Sequence, residues 1–256
     1  MPNDPTALSA GATSDKVERL VRDGLDRPLR ILDLGCGSGH FSRRLAALYR
    51  ERGWDPAAHV LAVDISLDSY RTDEVPARMV DLNRPLPFDD GSFDLVIAIE
   101  VLEHVRAPYE LLAGLRRVLA PGGRLIFTTP NVGNVTSRWS FFVTGCHRLY
   151  PTPSTRAELA GDLVGHIQPL PVQYWHWGLR AAGFSTIAVH ADRLKKGASF
   201  LAVLLWPLFR LGAGANRRRD AKLAPEVAGE LRQATALINA FPTLASRCLV
   251  ISASGI

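Results

Sequence analysis

The sequence predicts an α/β fold with a doubly wound, mostly parallel sheet of seven strands. From residue 30 onwards, short runs of Val, Ile and Leu alternate with helix-compatible segments, which is typical of a parallel sheet covered on both faces. The first apolar run leads into a glycine-rich turn and then a helical segment, as at the opening of nucleotide-type cofactor sites. With 256 residues, 47% of them hydrophobic, the chain can bury one substantial core, so we expect a single domain.

The elements follow from apolar runs bounded by turn residues. Strands are expected at 31–34, 59–65, 78–82, 93–99, 124–129, 184–190 and 248–252. Helices are expected at 14–25, 40–52, 108–119, 135–144 and 172–182. We also expect a disordered tail at 1–13, a lid at 131–170 and a helical insertion at 195–246.

Composition excludes several classes of protein. The three cysteines, Cys36, Cys146 and Cys248, are far apart and odd in number, so we expect no disulfide framework and a reducing compartment. The N-terminus lacks the pattern of a secretory signal, and no apolar run reaches the ~18 to 20 residues of a membrane span. The net charge of +5 comes mostly from scattered arginines, with one cluster at 217–219 and no nucleic-acid module signature. We therefore expect a cytoplasmic protein without a nucleic-acid partner.

The glycine-rich turn is the first candidate site. Gly35, Gly37 and Gly39 follow Asp33 at alternate positions, where side chains would hold a ligand away from the backbone. The dinucleotide fingerprint G-x-G-x-x-G would place its last glycine at residue 40, which is His40 here. The turn thus indicates a nucleotide-type cofactor but departs from the fingerprint of NAD(P)-dependent oxidoreductases, the rival class.

Two further strand ends carry carboxylates. Asp64 comes 20 to 30 residues after the glycine turn, at the distance where a carboxylate accepts the hydrogens of a ribose diol. Its alternative role is to cap a helix after Ser66. Asp81 could bind an adenine amino group while Leu82 packs on the ring, or could be an ordinary turn aspartate.

Residues 30–130 resemble, in order, the class I S-adenosylmethionine-dependent methyltransferases. The resemblance is carried by the G-x-G-x-G turn, by PFDDGSFD at 87–94 continuing into LVIAIEVLEHV, and by VLAPGGRLIF at 118–127 before Thr-Pro-Asn. It implies methyl transfer from S-adenosylmethionine, with the glycines under the methionine half and Asp64 on the ribose. The cofactor contacts expected from it are Asp33, Gly35, Cys36, Gly37, Gly39, Asp64, Ile65, Asp81, Leu82 and Glu100.

The run Glu100-Val101-Leu102-Glu103-His104 resembles the metal site of small-RNA 2′-O-methyltransferases and of the O-methyltransferases of ubiquinone biosynthesis. The resemblance implies a later histidine as fourth ligand, His147 or His166. With it, Glu100, Glu103 and His104 could hold a divalent ion such as Mg²⁺, which would lower the pKa of an acceptor hydroxyl. Alternatively, the run is a wall of the cofactor pocket. His104 or His166 could also act as the catalytic base without metal.

The expected lid carries the candidate acceptor contacts, which are Asn131, Arg138, His147 and Tyr150. Aromatic and arginine side chains suit a ring or sugar with negative charge, although they could also pack the lid onto the body. The Gly-His-Ile run at 165–167 resembles, more loosely, bacterial methyltransferases of sugars, glycan ends or lipid-linked saccharides. We expect O-methylation of a small-molecule, saccharide or lipid-linked acceptor, with nitrogen and carbon acceptors left open.

An apolar segment at 198–211 precedes the arginine cluster at 217–219. It is too short to span a membrane but could lie in the interface on the cytoplasmic face, with arginines toward anionic headgroups. Alternatively, it is a buried helix or a dimer contact. A non-catalytic methyltransferase-like membrane adaptor is a further alternative, against which the intact cofactor motifs argue.

Overall fold

The computed structural model describes residues 11–150 and 166–255. Residues 1–10 of the predicted tail and residues 151–165 of the predicted lid lie outside the described residues. The chain divides into two compact units. The described residues of the first unit fall within Met1–Thr129, Leu179–Ala188 and Val250–Ile256, and those of the second fall within Pro130–Gly178 and Val189–Leu249.

Seven strands form one sheet in the order β3-β2-β1-β4-β5-β7-β6. They are β1 (Ile31–Leu34), β2 (Val60–Asp64), β3 (Ala77–Met79), β4 (Phe93–Ile99), β5 (Leu119–Pro130), β6 (Thr186–Ala191) and β7 (Cys248–Ser254). The pairs β1–β2, β1–β4, β2–β3 and β4–β5 are parallel, which confirms the predicted fold class. Because β1 lies between β2 and β4, the strand order reverses there, and ligands of doubly wound sheets bind beyond the carboxyl ends at that point.

The described helices include the predicted ones and several others. They are α1 (Gly11–Arg22), α2 (His40–Arg50), α3 (Pro56–His59), α4 (Pro108–Val118), α5 (Val135–Thr144), α6 (Val172–Ala181), α7 (Lys196–Leu204), α8 (Trp206–Asp220), α9 (Pro225–Ile238) and α10 (Phe241–Ala245). A 3₁₀ turn covers Leu102–His104. The predicted insertion at 195–246 thus contains α7 to α10.

Several boundaries differ from the sequence-based prediction, three of them at the tail, at β3 and at β5. Residues 11–13 belong to α1 and not to the tail, because Thr13 packs on the buried side of the helix with Val17. Strand β3 ends at Met79, so Asp81 follows the strand and does not end it. The Pro-Gly-Gly run at 121–123 lies inside β5, where a register shift opposite β4 accommodates the irregular backbone.

The core of the first unit explains why its strands read as continuous apolar runs. All four residues of β1 are buried, as a strand covered on both faces requires. Helix α2 contributes Phe41, Leu45 and Leu48 to the same cluster, and α1 contributes Val17 and Val21. Burial of this apolar surface fixes the glycine turn between two anchored elements.

The second unit has a smaller apolar cluster. Val135 of α5, Ala202 of α7 and Leu244 of α10 are buried together, with Phe209 packed against them. Helices α7 and α8 meet at an angle of 61°, and Pro207 near the start of α8 prevents a continuous helix. Within residues 11–150 and 166–255, no single helix has the length and apolarity of a membrane span; only α7 and α8 taken together pass that test.

Candidate active site

The glycine turn joins β1 to α2 in the first unit. Gly35, Gly37 and Gly39 have φ angles of 69°, 50° and 78°, in the left-handed region that favours glycine. A Cβ on Gly35 would overlap the side chain of Val101, and one on Gly39 would lie 2.9 Å from Cε2 of Tyr70. The turn is therefore close-packed on one side and presents bare backbone, as a nucleoside-type ligand requires.

Asp64, at the end of β2, is bonded to this turn. Its Oδ2 accepts a hydrogen bond of 2.8 Å from the Gly37 N–H, and its Oδ1 accepts one of 2.7 Å from the Ile65 N–H. All residues between β2 and β3 are described and contain no helix, so the helix-cap interpretation of Asp64 is wrong. Oδ1 also accepts a long hydrogen bond of 3.5 Å from the Ser66 N–H, whereas the second lone pair of Oδ2 can still accept a hydrogen bond from a ribose diol.

Ile65 and Asp81 have surroundings that bear on the predicted adenine contacts. Ile65 is 63% exposed beside Asp64, where an apolar face suits a flat ring. Asp81 accepts a hydrogen bond of 2.9 Å from the Asn83 N–H, and this contact and the Asn83 side chain lower the pKa of the carboxyl. Asp81 thus holds a turn, while contact of Asp81 or half-buried Leu82 with adenine stays a prediction.

Two predicted cofactor contacts of the turn region, Asp33 and Cys36, are buried. Asp33 is 2% exposed and accepts a hydrogen bond of 2.6 Å from Oγ of Ser42, which ties β1 to α2. Burial is the main cause that raises the pKa of Asp33 to about 6. Burial likewise raises the pKa of the Cys36 thiol to about 12, so Cys36 is not a thiolate nucleophile near neutral pH. Direct cofactor contact by either side chain stays a prediction.

Glu100, directly after β4, has a backbone conformation that the sequence did not predict. Its φ is 54°, and its N–H donates a hydrogen bond of 2.9 Å to Oγ1 of Thr128 on β5. A non-glycine residue in this region carries about 1 to 3 kcal/mol of strain, and such residues cluster at functional sites. The strained turn therefore marks the end of β4, beside the switch point of the sheet.

Glu103 lies in the 3₁₀ turn that follows. It is fully buried, and neither carboxylate oxygen has a hydrogen-bond partner among the described residues. Burial raises the pKa of the Glu103 carboxyl well above its usual range, and the charge of Glu100 adds to this effect. A buried carboxyl without a partner is the kind of group that a bound cation would satisfy. Its neighbour His104 is exposed.

Two predicted acceptor contacts are engaged within the second unit. The Asn131 amide donates to the Thr243 carbonyl at 2.7 Å and accepts from the Gly133 N–H at 2.9 Å. The Arg138 guanidinium donates to the carbonyls of Gly133 and Ile238, both at 2.8 Å. These bonds assign both side chains a supporting role in the segment after β5, and acceptor contact by them stays a prediction.

The remaining candidates surround a strained residue in the same unit. Leu149 has a φ of 68°, and its carbonyl lies 2.7 Å from Nδ1 of His166. Because a carbonyl only accepts, Nδ1 donates this hydrogen bond, and in the neutral ring Nε2 would be the nitrogen that can serve as a base or metal ligand. The ring of buried Tyr150 lies 5.3 Å from that of His166. His147 stacks on Phe141, and burial lowers its pKa.

The doubly wound sheet and the glycine turn bonded to Asp64 define a Rossmann-like protein for a nucleoside-type cofactor. A family model described as methyltransferase domain matches residues 9–189. A demethylmenaquinone methyltransferase of Clavibacter sepedonicus is 34% identical over 202 residues, which cover 71% of this chain and 76% of that protein. The chain belongs to this family of S-adenosylmethionine-dependent methyltransferases, which confirms the predicted class and cofactor and excludes the oxidoreductase alternative.

Other relatives match part of the chain or its fold. A ubiquinone biosynthesis O-methyltransferase of a Caulobacter species is 36% identical over 126 residues, which cover 44% of this chain and 47% of that protein. The chain spans less than half the length of several other curated relatives that it matches. An S-adenosylmethionine-dependent methyltransferase from Archaeoglobus fulgidus shares the fold, with a TM-score of 0.55, 16% identity and 94% of each chain covered.

Proposed function

We propose that the protein transfers a methyl group from S-adenosylmethionine to an oxygen of a small-molecule, saccharide or lipid-linked acceptor. The observation that carries this proposal is the Asp64 carboxylate, bonded to Gly37 beside three left-handed glycines. The bound sulfonium supplies an electrophilic methyl group and a good leaving group, so the residues of the chain mainly bind and align. The acceptor oxygen loses its proton as the new C–O bond forms and the C–S bond breaks.

Equilibrium binding tests the cofactor half of this proposal. Calorimetry should detect S-adenosylmethionine and S-adenosylhomocysteine and should detect no NADH at the same protein concentration. Binding of NADH alone would contradict the proposal. Incubation with labelled S-adenosylmethionine and candidate acceptors, followed by mass spectrometry, then distinguishes oxygen from nitrogen or carbon methylation.

His166 is our first choice for the proton acceptor. Its Nδ1 donates a hydrogen bond to the Leu149 carbonyl, so in the neutral ring Nε2 would be the nitrogen that accepts the proton. His104, exposed at the end of the 3₁₀ turn, is the second candidate. His166→Ala should lower turnover at least tenfold while S-adenosylmethionine binds as before. Unchanged turnover would remove His166 from the mechanism, and loss of both properties would indicate a folding role.

A divalent ion is an alternative to a histidine base. The specific observation that favours it is the buried Glu103 carboxyl without a partner. Glu100, Glu103 and His104 would hold the ion, which would lower the pKa of an acceptor hydroxyl. Calorimetry with Mg²⁺ and Mn²⁺ should then give a signal that Glu103→Gln abolishes. If wild type and Glu103→Gln give equal calorimetric signals, or if the wild-type protein is fully active in a chelator, the metal is refuted and a histidine base is the mechanism that stands.

We also propose that α7 and α8 contact an anionic membrane on its cytoplasmic face. Phe200, Leu208 and Leu211 are each more than 60% exposed. From Lys196 to Arg219 the chain has five basic residues and no acidic one, which complements anionic headgroups. One relative is named a demethylmenaquinone methyltransferase and another a ubiquinone biosynthesis O-methyltransferase, which supports a lipid-like acceptor for this chain.

Vesicle flotation tests this contact. Wild-type protein should float with phosphatidylglycerol vesicles and not with phosphatidylcholine vesicles, and Leu208→Asp with Leu211→Asp should abolish flotation. Val227→Asp changes a 47% exposed apolar residue of α9 and serves as the control. Unchanged flotation of the double variant would refute the contact. Flotation without any methyl transfer would instead favour the non-catalytic adaptor.

A further inference from the structure

We propose that Arg148, Arg193, Lys195 and Arg247 in the second unit form a binding site for a phosphate group of the acceptor. The inference deepens the proposed function, because it assigns the acceptor a phosphate or diphosphate ester. It uses residues outside the glycine turn and outside the Glu-x-x-Glu-His run. We name these four residues the cation cluster.

The backbone brings three members of the cation cluster together. An antiparallel bridge joins Leu194 to Ser246, and the Lys195 N–H donates to the Ala245 carbonyl at 3.0 Å. Continuing this register by one residue places Arg193 opposite Arg247. Because side chains alternate along paired segments, Arg193, Lys195 and Arg247 project from the same face.

The fourth member joins them from the segment after α5. The Arg148 N–H donates a hydrogen bond of 3.1 Å to Oγ of Ser137, which fixes this segment against the helix. Burial lowers the pKa of the Lys195 ammonium, and the positive charges of Arg148, Arg247 and Arg193 lower it further. Lys195 therefore lies within the electric field of all three arginines.

In the part of the chain that the structure describes, three of the four members of the cation cluster are not balanced by a carboxylate. Among the described residues, Arg148, Arg193 and Lys195 form no salt bridge. The nearby Asp192 is buried and accepts a hydrogen bond of 3.1 Å from the Cys248 N–H. Like charges that face each other across paired strands are destabilising. A phosphate would supply the missing negative charge, with arginines as bidentate donors.

A cavity adjoins the cluster at Arg148. Its volume is about 390 Å³, and its lining comes mainly from α5, with Leu201 of α7 and Arg148 at the edge. Trp139, Val143 and Leu201 make it apolar, while Thr136, Ser140 and Thr144 add hydroxyl groups. The cavity can therefore take the organic part of a phosphate ester, and Arg148 would contact both parts. The start of α7 next to Lys195 adds the favourable end of a helix dipole.

The test uses inorganic pyrophosphate as the probe for the full-length protein. Calorimetry at constant ionic strength should show binding to wild-type protein, and Arg193→Ala or Lys195→Ala should weaken it by about tenfold or more, as expected when one charged hydrogen bond is lost. Arg232→Ala removes an exposed cation of α9 and should leave the affinity unchanged. The thermal midpoint of Arg193→Ala without pyrophosphate should equal or exceed that of wild type, because a like-charge contact is removed.

The outcomes separate the sources of the phosphate and the two proposals. If the ligand is a soluble diphosphate ester, pyrophosphate should bind to the wild-type protein and the vesicle flotation of Lys195→Ala should be unchanged. If the ligand is a lipid headgroup, Lys195→Ala should also no longer float with phosphatidylglycerol vesicles. If pyrophosphate does not bind to the wild-type protein, or binds equally to all variants, the proposal that the cation cluster binds phosphate would be overturned. Binding of S-adenosylmethionine, measured in parallel, tests the proposed methyl transfer separately.

Discussion

Replacement of Asp64 by alanine probes the link between the glycine turn and the second strand. In the structure this carboxylate accepts hydrogen bonds from Gly37 at 2.8 Å and from Ile65 at 2.7 Å. Its loss would remove the proposed ribose contact and the restraint on the turn. A hydrogen bond to a charged group contributes about 1 to 3 kcal/mol, so the Kd for S-adenosylmethionine should rise roughly 5- to 150-fold.

Calorimetry with S-adenosylhomocysteine provides the assay, because this product analogue does not turn over. Asp64→Asn retains one acceptor oxygen for Gly37 and should show a smaller loss than Asp64→Ala. Asp68→Ala removes an exposed carboxylate from the same connection and should bind as wild type does. An Asp64→Ala protein with unchanged affinity would refute the ribose role and the restraint together.

Two more predictions concern the same unit. Gly35→Ala places a Cβ against Val101 at a φ of 69°, whereas Gly53→Ala meets only the backbone cost at a φ of 73° with no atom within 4 Å. Urea unfolding should show a loss of about 1 kcal/mol for Gly53→Ala and clearly more for Gly35→Ala; equal losses would contradict the close packing. The pKa of Asp33 is raised from 3.8 to about 6. The native protein therefore loses stability as the pH rises from about 4 through 6, because the buried carboxyl ionises less readily than in the unfolded chain. That loss corresponds to about 3 kcal/mol in the free energy of unfolding. Urea unfolding should therefore show Asp33→Asn becoming more stable relative to wild type by this amount between about pH 4 and pH 7. A pH-independent difference between the two proteins would contradict the raised pKa.

Much of the first unit could be predicted because its signals are local. The run from β1 to α2 combines a buried strand, glycines with left-handed φ and an amphipathic helix within twenty residues. Asp64 is predicted from its place at a strand end and its distance from the turn, which are both local signals. By contrast, the left-handed backbone conformation of Glu100 depends on a hydrogen bond to Thr128, which is 28 positions away. No local sequence pattern predicts that contact.

The second unit was harder to predict, because its contacts join residues far apart in sequence. Arg138 looked available for an acceptor, yet its guanidinium reaches Ile238, 100 positions away. Similarly, Arg193 and Arg247 are ordinary single arginines in the sequence. Only the bridge between Leu194 and Ser246 places them opposite each other. The exposed apolar segment was visible in the sequence, but its burial could not be decided without the fold.

A crystal structure of the protein with S-adenosylhomocysteine tests the central claim most directly. We expect the methionine half along the backbone of Gly35 to Gly39 and both ribose hydroxyls within 3.2 Å of the Asp64 carboxylate. Density for the ligand at another place, with Asp64 still bonded only to its own backbone neighbours, would contradict the account.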